Sequence, residues 1–208
     1  MNIRKWFFLF WSCMAVGAVV TAITGSIMQW TDKSFGFMGL EAAGFNAAMM
    51  ALVGTMIGAF SQMGFFAYLT LSYIALSIFR KKYLWNALQA YTSLFALIAL
   101  GYLLFQNRAE LSNVAFWLLP LLLAAAAIIV TNIKVQQTNR SAMVPTLFLL
   151  VFVTILEAWP ALNGENNINA IVFMFVPLFA CNAYQILMLH RLVKPAATDS
   201  AREAKPVA

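Results

Sequence analysis

The sequence predicts an all-α, polytopic membrane bundle of about six transmembrane helices, and two features carry that prediction. Of 208 residues, 63% are hydrophobic and only 10% charged, against roughly 25% charged in soluble domains. The apolar residues also fall in long uncharged runs, of the length of about 20 residues that a helix needs to cross hydrocarbon. With a mean hydropathy of +0.82, no stretch is left for a separate aqueous core, so function must reside in the bilayer or in short loops.

The first run follows Arg4 and Lys5 and extends from Trp6 to Thr31. It exceeds the roughly 7 to 15 apolar residues of a secretory leader and ends at a Gln29-Trp30 interfacial anchor, so residues 7–28 are read as the first membrane helix. Later runs predict helices over 84–105, 115–132, 143–160 and 169–189. The difficult stretch is Ala42 to Phe79, whose 38 uncharged residues would make one helix of about 57 Å or two crossings with almost no turn. Loop charge arbitrates. One crossing over 45–79, with both termini cytoplasmic, puts 11 of the 13 basic residues on the inner side and leaves only Lys33 and Arg108 outside. A seven-helix arrangement with an outer N-terminus scores nearly as well, but it moves Arg4 and Lys5, beside the usually dominant first helix, to the wrong side. For residues 42–60 the choices of spanning, re-entering or lying in the interface stay open. The sequence predicts one transmembrane domain over 1–194 and a disordered cytoplasmic tail over 195–208, in a multi-pass protein of the bacterial plasma membrane.

The basic pI of 9.6 is therefore a topology signal and no nucleic-acid footprint, since the cations are dispersed over short inner segments, Lys134 and Arg140 among them. Those segments either set topology alone or also touch a cytoplasmic domain or anionic lipid. Cys13 and Cys181 lie inside apolar runs without a CxxC pair, and the sole histidine is His190, which argues against a disulfide framework, a haem or a histidine-built metal centre. No GxSxG, HExxH, GxGD or phosphate-loop pattern occurs. The expectation is a non-enzymatic protein with no cofactor, metal or catalytic residue.

Candidate functional residues are polar or small side chains inside the apolar runs. Gly17, Thr21 and Gly25 on the first helix, and Gly54, Gly58, Ser61 and Gly64 on the second, have the spacing that lets backbones approach closely in lipid. They hold this bundle together or present a face to another protein. Gln62 shares a helix face with Phe66, Leu69 and Tyr73, while Ser61 shares another with Tyr68 and Ser72. Buried amides in hydrocarbon are candidates for function, or for interhelical hydrogen bonds that fix the bundle. Glu157, three residues before Pro160, is placed at the outer end of the fifth helix. It is read mainly as a carboxylate in contact with interfacial water, and alternatively as a proton or cation site whose partner the sequence does not reveal. Glu41 is a weaker case. Asn182 and Gln185 lie on adjacent turns of one side of the last helix, beyond a kink expected at Pro177.

Taken together, SQMGFFAYLT at 61–70, LWNALQ at 84–89, QTNR at 137–140, TILEAWP at 154–160 and CNAYQIL at 181–187 resemble the KbaA family, membrane proteins of endospore-forming bacteria described as KinB-signalling pathway activation proteins. The resemblance covers nearly the whole chain except the alanine-rich tail after Lys194. It implies a regulator that a membrane sensor histidine kinase needs to feed the sporulation phosphorelay, and it supplies no catalytic residue or ligand. The expected partners are that kinase and the lipid bilayer, with no nucleic acid. The rival is a small-solute or ion permease, suggested by Gln62, Glu157, Asn182 and Gln185 and by helix breaks at Pro160 and Pro177. The two halves of the chain show no convincing repeat of the kind carriers often have. A ligand sensor would combine both roles.

Overall fold

The structure, a computed structural model, describes residues 3–31, 43–79, 81–106, 115–163 and 168–193. The tail over 195–208 lies outside the described residues, as do Asp32, Lys33, Glu41, Arg80, Arg108, Glu110 and Glu165, on which much of the inside–outside charge argument rests. Among the described residues, six helices are long and apolar enough to cross a membrane and there is no strand.

Helix α1 (Ile3–Thr31) and helix α2 (Ala43–Ile78) share the most extensive contact of the bundle. The ambiguous second run is one continuous helix of 36 residues. With no charge and no proline inside it, nothing interrupts its backbone ladder, so residues 45–60 belong to the same rod as residues 61–78. On α1 every fourth residue is buried, in a stripe of Leu9, Cys13, Gly17, Thr21, Gly25 and Gln29. That row meets the glycines of α2. A Cβ at Gly58 would come within 2.9 Å of the Cys13 carbonyl oxygen and of Met14 Cα, and one at Gly54 within 2.7 Å of Thr21 Cβ. At these two positions α2 lies directly against α1, an approach that a side chain would prevent. Helix α8 (Ile168–Val193) closes this group against both α1 and α2, continuing through Pro177.

Helix α3 (Lys82–Gln106) and helix α4 (Ala115–Gln137) pack with the fifth crossing as a second group. In place of one helix over 143–160 there is a 3-10 turn at Arg140–Ala142, a short α5 (Met143–Phe148), a π-helical segment at Leu149–Val153, α6 (Thr154–Glu157) and, after a turn at Ala158, α7 (Trp159–Leu162). Pro160 sits harmlessly in the first turn of α7. The real irregularity is the π segment, where one extra residue in the turn rotates the residues after it by about 100° relative to a uniform helix. Aromatic rings fill this group: Phe148 lies 4.8 Å from Phe152, 5.7 Å from Tyr68 and 6.3 Å from Trp85, centroid to centroid.

Candidate functional site

The polar side chains that matter converge where α6, at the end of the fifth crossing, meets α1, α2 and α8. Asn182, fully buried near the middle of α8, is the hub. Its Nδ2 donates to Glu157 Oε2 at 2.7 Å and to Thr154 Oγ1 at 3.0 Å, and its Oδ1 accepts from Ser61 Oγ at 3.0 Å. One turn further along α8, Gln185 Nε2 donates to Ser61 Oγ at 2.8 Å and to Cys13 Sγ at 3.1 Å. The Cys13 thiol donates in turn to the Gly58 carbonyl, and the Cys181 thiol to the Cys13 carbonyl, each at 3.7 Å. Both cysteines are free thiols. Four helices are thus tied by one hydrogen-bonded chain in which both N–H groups of each amide are used.

Glu157 stands differently from the sequence expectation. It is 5% exposed and reaches inward between α2 and α8, where it bonds to a mid-helix asparagine. Pro160 and the polar NGENN stretch point to an interfacial position; the register imposed by the π segment instead turns Thr154 and Glu157 towards α8. Room for the carboxyl is made by Gly64, since a Cβ there would overlap Glu157 Oε1. That oxygen has no hydrogen-bond partner, and neither has Gln185 Oε1.

Ser61, Glu157, Asn182 and Gln185 are therefore brought into one cluster, while the other candidates are not part of it. Gly54 and Gly58 form the close contact with α1, linked to the cluster only through the Gly58 carbonyl. Gln62 is buried at 1% exposure but makes no side-chain hydrogen bond. Its predicted face is split, because Phe66 and Tyr73 are exposed. Tyr68 is buried against Phe148. Thr154, Cys13 and Gly64 join the site without a sequence signal that assigns them to it, since threonine, cysteine and glycine are ordinary inside apolar helices. Lys134 also departs from its reading as a topology residue at a helix end. It lies within α4, only 4% exposed, and its ammonium donates to the Ile186 carbonyl of α8.

The cluster contains no nucleophile–base pair with a third orienting group. Among the described residues no three His, Cys, Asp or Glu side chains gather as a metal set. What it has is one enclosed carboxyl, two amides and two hydroxyls shared by helices from both groups.

The family described as KbaA, KinB-signalling pathway activation in sporulation, matches residues 17–192. The chain belongs to the KbaA family. A relative from Bacillus subtilis (strain 168), the KinB-signaling pathway activation protein, is 37% identical over 184 residues, covering 86% of this chain and 92% of its own length. No solved structure matches the chain. The match over 17–192 takes in every sequence block that resembles the family and every residue of the polar cluster except Cys13. Membership in a family of signalling-pathway activators marks this KbaA-family protein as a regulator, one with six helices suited to crossing a membrane.

Proposed function

We propose that this KbaA-family protein is a non-enzymatic regulator of the bacterial plasma membrane, which activates a membrane sensor histidine kinase feeding the sporulation phosphorelay through helix contacts inside the bilayer. Family membership supplies the pathway. The observation that supports the manner of action is the cluster itself: its defining feature is connection, four helices joined through Ser61, Asn182, Gln185 and Glu157, with no reacting group positioned for turnover. A bundle tied in this way favours one arrangement of its outer helix faces. It activates a kinase if it binds the active conformation more tightly than the inactive one, and a differential of about 1 to 3 kcal/mol shifts output roughly 5- to 150-fold.

The test is recovery of the kinase from detergent-solubilised membranes with tagged protein, with and without cross-linking. The expected result is a complex with wild-type protein that weakens with Asn182→Leu. Absence of kinase after cross-linking, with the regulator folded and inserted, would overturn the reading.

A further inference from the structure

Glu157 is the only acidic side chain among the described residues, and from α6 it is enclosed between α2 and α8. Burying an ionised carboxyl without a positive partner is very costly. The buried cation that also reaches α8, Lys134, is already engaged at the Ile186 carbonyl, one turn along that helix from Asn182. What surrounds the carboxyl is instead a set of neutral polar groups. Thr154 Oγ1 shares the Asn182 amide with Glu157 Oε2, Ser61 Oγ bonds the far end of that amide, and Glu157 Oε1 and Gln185 Oε1 are buried without any partner.

From this geometry we infer that the junction of α2, α6 and α8 is a binding site for one small monovalent metal cation of the sodium or potassium type, held by Glu157 with Thr154 and Asn182. The donor set is all hard oxygen, which suits alkali and alkaline-earth ions and not the softer transition metals. Charge decides between the first two. A single carboxyl neutralises a monovalent ion, whereas a divalent ion would leave a net charge in hydrocarbon. The thiols of Cys13 and Cys181 are occupied with backbone carbonyls and take no part. The amide of Asn182 bridges Glu157 and Thr154 through its nitrogen; turning the amide over presents its oxygen to the same place as a third ligand, while the nitrogen then donates to Ser61, which bonds that end of the amide. Loading the ion therefore strengthens the tie between α6 and α8. The site stands apart from the kinase reading, because it is a property of the isolated protein.

Thermal unfolding of the full chain, purified in detergent, tests it in sodium, potassium or N-methylglucamine chloride at equal ionic strength. A saturable rise in midpoint of about 3 °C is expected at roughly tenfold excess of the preferred ion over its Kd, and none with N-methylglucamine. Glu157→Gln keeps an acceptor for Asn182 and is expected to abolish the shift. Thr154→Ser retains it, and Thr154→Val raises the concentration needed about tenfold, the equivalent of losing one ligand. Equilibrium binding of radioactive sodium or rubidium to wild-type protein, one ion per chain, reports directly even where a variant fails to fold. Equal midpoints in all three salts with no bound radioactive ion would overturn the proposal, as would a midpoint that responds to pH alone, which assigns the counter-charge to a proton.

Discussion

The two groups of helices are held together by different means. In the α1–α2–α8 group, glycines let backbones touch and a chain of hydrogen bonds runs from Cys13 through Gln185 and Ser61 to Asn182. The α3–α4–α5 group has rings and aliphatic chains at its contacts, a π segment in the fifth crossing, and outward grooves. One of about 400 Å³ lies between α3 and the π–α7 stretch, lined by residues such as Ala99, Phe152 and Trp159, and one of about 560 Å³ between α3 and α4. In lipid there is no hydrophobic drive to bring helices together, so shape and polar bonds decide which contacts are firm. The first group has both. The second has mainly shape, incompletely matched; Glu157, Thr154 and Lys134 join it to the first by hydrogen bonds, beside the ring contact of Phe148 with Tyr68.

Substitutions separate the two groups in a definite order. Gly58→Leu forces a side chain into the Cys13 and Met14 backbone and is expected to cost about 4 kcal/mol or more, read as loss of the folded species in detergent. Asn182→Leu removes three hydrogen bonds and leaves Ser61, Thr154 and Glu157 without them. At about 0.6 kcal/mol for an average interhelical bond, more where a carboxyl is stranded, the expected loss is about 2 to 3 kcal/mol in reversible unfolding. Lys134→Met gives up the bond to Ile186 but also the burial of an ammonium, so the two effects offset and stability stays within about 1 kcal/mol of wild type. Ala99→Leu, which fills part of the groove beside α3, changes stability by less than about 0.5 kcal/mol. If Ala99→Leu cost as much as Asn182→Leu, the contrast between firm and soft groups would be lost.

The six crossings are legible in the sequence because uncharged runs of that length have one stable outcome, which is to leave water for lipid as helices. For α2, charge placement favours one crossing over two, but the sequence leaves residues 42–60 open, and it is the structure that joins residues 43–60 to the same rod. Ser61, Asn182, Gln185 and Glu157 stand out for the reverse reason: polar groups in hydrocarbon need partners. Their assembly is not legible. The π segment LLVFV has no signature that separates it from any apolar turn, and without it the register of Thr154 and Glu157 cannot be placed. That is why the sequence, with Pro160 and NGENN nearby, reads Glu157 as facing interfacial water, whereas the residue is turned into the bundle and buried. Lys134 counts with the inner loop on sequence grounds because a lysine near a helix end ordinarily reaches water, whereas here the α8 backbone offers it a carbonyl.

Reconstitution tests the proposed regulation most directly. The sensor kinase is placed in liposomes alone or with this protein, and its autophosphorylation rate is measured. Wild-type protein is expected to raise the rate at least about fivefold, and Asn182→Leu that is still folded and inserted to raise it clearly less. An unchanged rate with correctly inserted wild-type protein would refute regulation through helix contacts.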